Sequence, residues 1–401
     1  MINKLKKSKQ TGRFSLFPGK DVYGELTLAR QRTSLYLQDI DYFDTFSISD
    51  QCVKGVLLDL TKVTLIQCIT TSGTGSSFRG EQRYHFASIF PHYVVYGDRH
   101  INPAEKEIAA VNFVVDDAST LFYDFDAFGI LLDARPFIEE IAHANALGRD
   151  ISTGPDPQIL YFTGKREIFK AETVLGKVSA SHEPIPILGS PLGVSLKNTI
   201  VLTINFKTAV TFNDAITHIY TILRYLEMLI GRPQNLLKLN IELESDNGRS
   251  TPLIVYWSMS PKRGPSHEDQ RPHPADVLLD GVQQPAVFSH VLSSWLERQE
   301  AWRDARVRFS KLFANQHYYS IDRLIGSANM FDILPSSAVS ADVQISEPLK
   351  RAKDECRTIF KNLPQTPERD SVLSALGRVG KIDDFPPLQL LNFRREMLNC
   401  I

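Results

Sequence analysis

From residue 14 to about residue 115, apolar residues recur at every second position in short bursts. Leu26 and Leu28 alternate with polar residues in one burst, and Leu35 and Leu37 do so in another. This period is typical of half-buried β-strands, whose side chains point alternately to opposite faces. Turn-rich stretches such as SGTGSS and GDRHINPAE separate the bursts. The pattern predicts many short antiparallel strands that form a sandwich or an open barrel.

One later stretch, FNDAITHIYTILRYLEMLIGRP, changes to helical spacing. Its apolar residues recur every three or four positions, which predicts an amphipathic helix. Asn213 is the predicted N-cap, and Asp214 in the first turn suits the positive end of the helix dipole. Gly231 and Pro233 are expected to end the helix. A shorter helix is predicted near residues 136–146, and LLKLNIELE and PLIVYWSMS are further strand candidates.

The pattern changes again after the polar, proline-rich stretch PKRGPSHEDQRPHPADVLLDGVQQP, which is typical of a long loop or linker. Beyond it, FSHVLSSWLERQEAWRDARVRFSKLFA predicts one long helix, and three further helices follow in YYSIDRLIGSANMFDIL, SEPLKRAKDECRTIFKNL and TPERDSVLSALGRVG. The expected fold class is therefore α+β. A β-rich, sandwich or open-barrel-like part with a packed helix is predicted at 1–260, a linker at 261–285 and a C-terminal α-helical bundle at 286–401.

The chain ends in LQLLNFRREMLNCI, whose apolar residues fall on one side of a helix. Leu390, Phe393, Met397 and Ile401 form that side, and no capping Gly or Asn follows them. An amphipathic helix at the end of the chain predicts that the bundle lacks its last members. We therefore expect a truncated product or a fragment.

Composition narrows the class of protein. The formal net charge of −1 comes from 45 basic and 46 acidic side chains, so the chain has no global basic field for nucleic acid, although a local patch stays open. No apolar stretch follows the N-terminal lysines, and no run of about 18 apolar residues occurs, so neither a signal peptide nor a membrane span is predicted. The four cysteines match no zinc or redox spacing, which indicates reduced thiols. We expect a soluble cytoplasmic protein that needs no membrane.

Three polar motifs contain chemically active residue types without the pattern that a site requires. TTSGTGSS lacks the lysine of a phosphate-binding loop, which favours a solvated hairpin connection. YDFDAF, with Asp124 and Asp126, places aromatic residues beside its acids and lacks the distal Glu of a calcium loop, which favours surface acids on a strand edge. SHEDQRPHP holds metal-ligand types in a proline-flanked loop, which favours a hydrated linker. We therefore expect neither a metal nor a cofactor, and we expect Trp257, Trp295 and Trp302 to be core residues.

Two longer stretches resemble a known family. GRFSLFPGKDVYGELTLARQRTSLYLQD resembles the start of the ApeA-type N-terminal domain, and so does NDAITHIYTILRYLEMLIGRPQNLLKLNIEL, where a helix runs through Gly-Arg-Pro into a strand. In that family the β-rich part precedes an ApeA-like HEPN domain, an α-helical bundle. YYSIDRLIGSANMFDILPSS and the helices after it are similar to the front of such a bundle.

The resemblance implies a role in bacterial defence against phage of the abortive-infection type. The β-rich part would sense a phage-derived trigger or a protein partner, and the bundle would act on RNA as a homodimer. HEPN chemistry rests on Arg followed four to six residues later by His, because metal-free RNA cleavage needs a general acid/base and a cation at the phosphate. The last histidine here is His317, so this pair is absent from the bundle.

Catalytic residues therefore stay unknown, and Arg394 and Arg395 are the candidate RNA-binding residues. Arg79 and His85 in RGEQRYH fit the spacing, but they lie in the β-rich part and are interpreted as a chance match. The alternative function is a non-catalytic binding and dimerisation module that recognises a protein or a small ligand. An unrelated β-sandwich enzyme is a third hypothesis, although no nucleophile, base and orienting group can be assembled from the sequence.

Overall fold

The computed structural model divides the chain into two compact units at Leu296. The residues that it describes are 9–17, 20–41, 52–71, 73–143, 152–191, 193–244, 251–260, 272–314, 320–334 and 346–378. Within these ranges, none of the helices combines the length and the apolar character needed to cross a membrane.

A small barrel forms the first part of the first unit. Its strands are β1 (Lys9–Phe17), β2 (Lys20–Thr27), β3 (Ser34–Asp39), β4 (Val53–Leu57), β5 (Lys62–Thr70), β6 (Gly75–Arg79) and β7 (Gln82–Gly97). The ring runs β7-β3-β2-β1-β4-β5 and closes because β5 also pairs with β7. Every second residue points inward, so Phe14, Leu26, Leu35, Leu65 and Ile89 are completely buried in the barrel core.

A seven-stranded antiparallel sheet continues from the barrel and shares β7 with it. The further strands are β8 (Ile108–Val115), β11 (Glu167–Glu172), β12 (Gly176–Ser190), β13 (Gly193–Val210), β14 (Leu236–Leu243) and β15 (Leu253–Trp257), in the order β11-β12-β13-β8-β14-β15-β7. Between β8 and β11 lie α1 (Ala118–Leu121), β9 (Phe128–Leu131), α2 (Arg135–His143) and β10 (Ile159–Phe162). β9 and β10 form a separate two-stranded sheet.

One face of the large sheet is covered by α3 (Phe212–Ile230), and α4 (Pro285–Glu297) packs on α3. Tyr225 of α3 is completely buried, with its ring 5.5 Å from Phe288 and 5.7 Å from Trp295 of α4. The Trp295 indole Nε1–H donates to the Thr221 carbonyl oxygen at 3.1 Å. Burial of these large aromatic side chains fixes the two helices to each other.

The second unit is helical in its described part. Its helices are α5 (Arg303–Ala314), α6 (Ile321–Asp332), α7 (Glu347–Lys361) and α8 (Pro367–Arg378). Large apolar side chains on α6 and α7 are exposed, among them Ile321 at 74%, Leu324 at 72% and Ile359 at 61%. These helices therefore carry apolar surface that nothing in the described chain covers.

The α+β fold class is confirmed: a β-rich part precedes several helices. Two local predictions are wrong. The N-cap of α3 is Thr211, whose Oγ1 accepts from the Asp214 backbone N–H at 3.2 Å, and not Asn213. The predicted long helix after the linker is two helices, α4 and α5, with turns at residues 298–302.

The predicted boundaries at 260 and 285 stay predictions. The compact division falls at Leu296, so most of α4 belongs to the first unit. Within the predicted linker, residues 261–271 lie outside the described residues. The last predicted helix, at 388–401, also lies outside them, so the expectation of a shortened bundle stays an expectation.

Candidate functional site

The face of the large sheet opposite α3 carries polar side chains in a row across four strands. Antiparallel register places Ser179 opposite Thr203, Thr203 opposite Asn112, and Asn112 opposite Asn240. The residues that flank this row on each strand point to the other face and build the core under α3, as Phe113, with no exposed surface, shows. Because successive side chains point to opposite faces, each strand contributes to an apolar face and to a polar face of the sheet.

Hydrogen bonds connect the middle of this row. The Thr203 hydroxyl donates to Asn112 Oδ1 at 2.7 Å, and the Asn112 amide Nδ2 donates to Glu242 Oε1 at 2.6 Å. Each bond joins neighbouring strands, so the three side chains hold one another in fixed orientations.

A groove of about 210 Å³ lies over this network, between β12, β13, β8 and β14. We call it the polar groove, and it is lined by Asn112, Val114, Glu183, Val201, Lys238, Asn240, Glu242 and Pro252. Asn240 Oδ1 is buried and has no hydrogen-bond partner in the described part of the chain. Among the residues that the structure describes, neither Glu183 nor Lys238 has an ion-pair partner. An acceptor, a carboxylate and an ammonium group are thus available to a bound molecule.

A buried polar clamp positions β14, the strand that supplies Lys238, Asn240 and Glu242 to the groove. Asp117 is fully buried and accepts two bonds from the Arg232 guanidinium, from Nε and Nη2, each at 2.5 Å. Gln234 Nε2 donates to the same carboxylate at 2.8 Å, while the Asp117 backbone N–H donates to Gln234 Oε1 at 3.0 Å. Asp116 accepts from both the backbone and the side-chain amide of Asn235. The Arg-Pro-Gln-Asn segment after α3 is thereby tied to the end of β8, and β14 starts directly after it.

The clamp also determines what the paired aspartates can do. The Asp117 carboxylate is paired with the Arg232 guanidinium through two bonds, and each oxygen of Asp116 accepts one amide donor of Asn235. No cluster of three metal-ligand side chains occurs among the described residues. These aspartates are therefore structural acceptors.

A second polar cluster lies on the core face of β12. His182 is buried, with Nε2 3.7 Å from Asp124 Oδ2, and Asn198 Nδ2 lies 2.9 Å from its Nδ1. The Asp124 side chain is only 5% exposed, so the prediction that it is a surface acid is wrong. Burial lowers the pKa of His182, and the nearby Asp124 carboxylate opposes that shift without reversing it. The imidazole is therefore neutral at pH 7.

Other residues singled out in the sequence are not brought together. The connection at 71–74 joins β5 to β6, which both pair with β7, so it is not the hairpin turn that was predicted. Register places Arg79 opposite Gln82 and His85 opposite Ser76, which separates the two positions by about 10 Å along the strands. Arg394 and Arg395 lie outside the described residues.

The remaining residues that the sequence singled out are buried or half-buried. Trp295 and Trp302 are core residues, as predicted, and Trp257 is half-buried beside the rings of Tyr93 and Tyr220. Burial raises the pKa of Cys52 to about 11 and that of Cys68 to about 12, so both thiols are protonated at pH 7 and are poor nucleophiles.

The fold defines a class of protein in which a closed β-barrel shares one strand with a helix-backed antiparallel sheet. The family model of ApeA N-terminal domain 1 matches residues 9–295, which cover the whole barrel, the large sheet and nearly all of α4. The chain therefore belongs to the ApeA N-terminal domain 1 family. Membership of this family suggests a bacterial anti-phage defence protein. Neither the curated proteins nor the solved structures contain a match.

Proposed function

We propose that this chain is a phage-sensing defence protein whose first unit binds a trigger in the polar groove. Family membership supports the defence role. The observation that carries the sensing role is the set of unused groups at one place: the Asn240 acceptor, the Glu183 carboxylate and the Lys238 ammonium. A site with both charges and fixed amides suits a polar molecule or a polar segment of a phage protein.

The C-terminal helices are proposed to be the front of a HEPN bundle that contacts RNA. The support is the resemblance of YYSIDRLIGSANMFDILPSS and the following helices to such a bundle, with Arg394 and Arg395 as candidate phosphate contacts. The sequence has no histidine after His317, so this chain is proposed to bind RNA without cleaving it.

Self-association through the same helices is part of the proposal. Exposed apolar side chains on α6 and α7, including Leu324 and Ile359, support a homodimer that buries them. The alternative function, a non-catalytic binding and dimerisation module with no RNA contact, shares this support and differs only in the role of the two arginines.

Plating efficiency of a phage panel tests the sensing role. Bacteria that express the chain are compared with bacteria that express Asn240→Leu/Lys238→Met, which removes two groove groups. Lys197→Met, on β13 of the same unit, is the matched control. We expect protection by the chain and by the control, and loss of protection in the groove variant. Protection that survives in the groove variant contradicts the groove as the sensing site.

RNA binding separates the two forms of the proposal. Purified chain is titrated with labelled single-stranded RNA and compared with Arg394→Ala/Arg395→Ala. Weaker binding by the variant supports the RNA-directed bundle. Absence of binding by either protein favours the binding and dimerisation module, and metal-independent cleavage by the chain refutes the non-cleaving proposal.

A further inference from the structure

The segment between α1 and β11 contains a small two-stranded sheet that is separate from the large sheet. It consists of β9, α2 and β10, and we call its described residues, 123–143 and 152–163, the arm. The arm is formed by residues other than those of the polar groove.

The base of the arm is fixed. The backbone N–H and the hydroxyl of Thr163 both donate to the Ala127 carbonyl oxygen, at 3.0 and 3.2 Å. The Phe128 and Phe162 rings stack 5.0 Å apart, and both contact the buried His182 ring edge to face. The arm is therefore held in one orientation on the sheet.

Beyond its base, the arm exposes large apolar side chains. They are Tyr123, Phe125, Ile130, Leu132, Phe137, Ile141, Leu160 and Tyr161, with exposures from 37% for Ile141 to 75% for Phe125. If a fully exposed large side chain offers about 200 Å², the eight together expose on the order of 800 Å². Ile130 and Leu160 are cross-strand partners and share one face of the two-stranded sheet, whereas Tyr161, opposite Gly129, lies on the other face.

The backbone of the arm is also available. β9 and β10 pair with each other, and among the described residues no other strand pairs with the outer edge of either one. Such edges favour the addition of a strand or a helix from another polypeptide. α2 adds two exposed apolar residues, Phe137 and Ile141, one helical turn apart.

Charge decides which occupant the arm fits. The described residues of the arm contain six acidic side chains and one basic side chain, a net charge of −5 with histidine neutral; one of the acids, Asp124, is buried beside His182. Two copies of the arm would repel each other, and anionic lipid would be repelled as well. We propose that the arm is a docking surface for a partner polypeptide that carries an amphipathic segment with basic residues beside its apolar face.

Defined peptides test this assignment on the full chain. The probes are three labelled peptides about four helical turns long: one of Leu and Lys, one of Leu and Glu, and one of Ser and Lys. Fluorescence anisotropy measures their binding to the chain, to Leu132→Ser/Leu160→Ser and to Glu139→Lys/Glu140→Lys. The control is Leu58→Ser, which changes another exposed leucine, 76% exposed, in the turn after β4.

We expect the Leu/Lys peptide alone to bind tightly, with its Kd raised at least about tenfold in each arm variant and unchanged in the control. The proposal is overturned if the Leu/Lys peptide binds Leu132→Ser/Leu160→Ser as tightly as it binds the unmutated chain. It is also overturned if the Ser/Lys peptide binds the chain as tightly as the Leu/Lys peptide does. A concentration-dependent dimer in sedimentation that disappears in the leucine variant overturns it too, because a second copy then covers the arm. Asn240→Leu is expected to retain peptide binding, so loss of sensing at the groove leaves this test intact.

Discussion

Removal of the Asp117 carboxylate is the perturbation whose cost follows most directly from the structure. In Asp117→Ala, the Arg232 guanidinium loses both of its close bonds and Gln234 loses one. Breaking a buried ion pair from one side costs about 3–5 kcal/mol, because the remaining charge stays in the interior without that carboxylate. The Arg232 side chain is 14% exposed and regains some hydration, so we expect the lower end, about 3 kcal/mol.

Urea unfolding of the full chain, followed by tryptophan fluorescence, measures this loss. The matched control is Asp98→Ala, which removes an exposed partner 3.7 Å from Arg99 and should cost less than about 1 kcal/mol. Asp117→Leu/Arg232→Met removes both charges and should be less destabilised than Asp117→Ala. A cost for Asp117→Ala that is no larger than that of Asp98→Ala refutes the clamp, and with it the reason that β14 is held at the groove.

Three further predictions concern the same unit. Thr211→Ala should lower the free energy of unfolding by about 1 kcal/mol through loss of the N-cap of α3, whereas Asn213→Ala should lower it by less. If urea unfolding shows the reverse order, Asn213 is the N-cap, as the sequence predicted. Gly176→Ala should reduce the melting temperature by several degrees, since Gly176 has a φ of +132° and a Cβ there would lie 2.1 Å from the Asn205 carbonyl oxygen; an unchanged melting curve would disprove the close approach. The pKa of His182 is lowered in the folded state, so the unfolded chain binds the extra proton first as the pH falls below about 6.5, and the free energy of unfolding should decrease below that pH. His182→Gln should show a shallower decrease in stability between pH 7.5 and 5.5. An equal slope in both proteins would contradict the buried neutral imidazole.

Local patterns determined how much of the fold was predictable. The β-rich part, the helix from Phe212 to Ile230 and its glycine stop all follow from period and turn chemistry, and Gly231 does adopt a left-handed conformation with φ of +83°. The break between α4 and α5 falls in ERQEA, which contains neither Gly nor Pro, so no local signal announces it. The N-cap of α3 was misplaced by two residues, because Thr and Asn are both good N-caps and sequence alone does not choose between Thr211 and Asn213.

The candidate site could not be predicted from local sequence patterns. Asn112, Glu183, Lys238 and Asn240 come from three strands, and long-range pairing alone brings them to one face. Asp124 was misplaced for the same reason: its partner, His182, is 58 residues away in the chain. The available signal was Asn112 and Asn240 on strands that are otherwise largely apolar, since Asn is uncommon inside strands.

The most direct test of the sensing claim is amide hydrogen exchange of the purified chain, alone and mixed with lysate of a phage that it restricts. Lysate of a phage that escapes restriction is the control. We predict slower exchange in β8 and β14, the strands that carry Asn112, Lys238 and Asn240, with the restricted phage only. Unchanged exchange in these two strands, together with slower exchange elsewhere in the first unit, would contradict the polar groove as the place where the trigger binds.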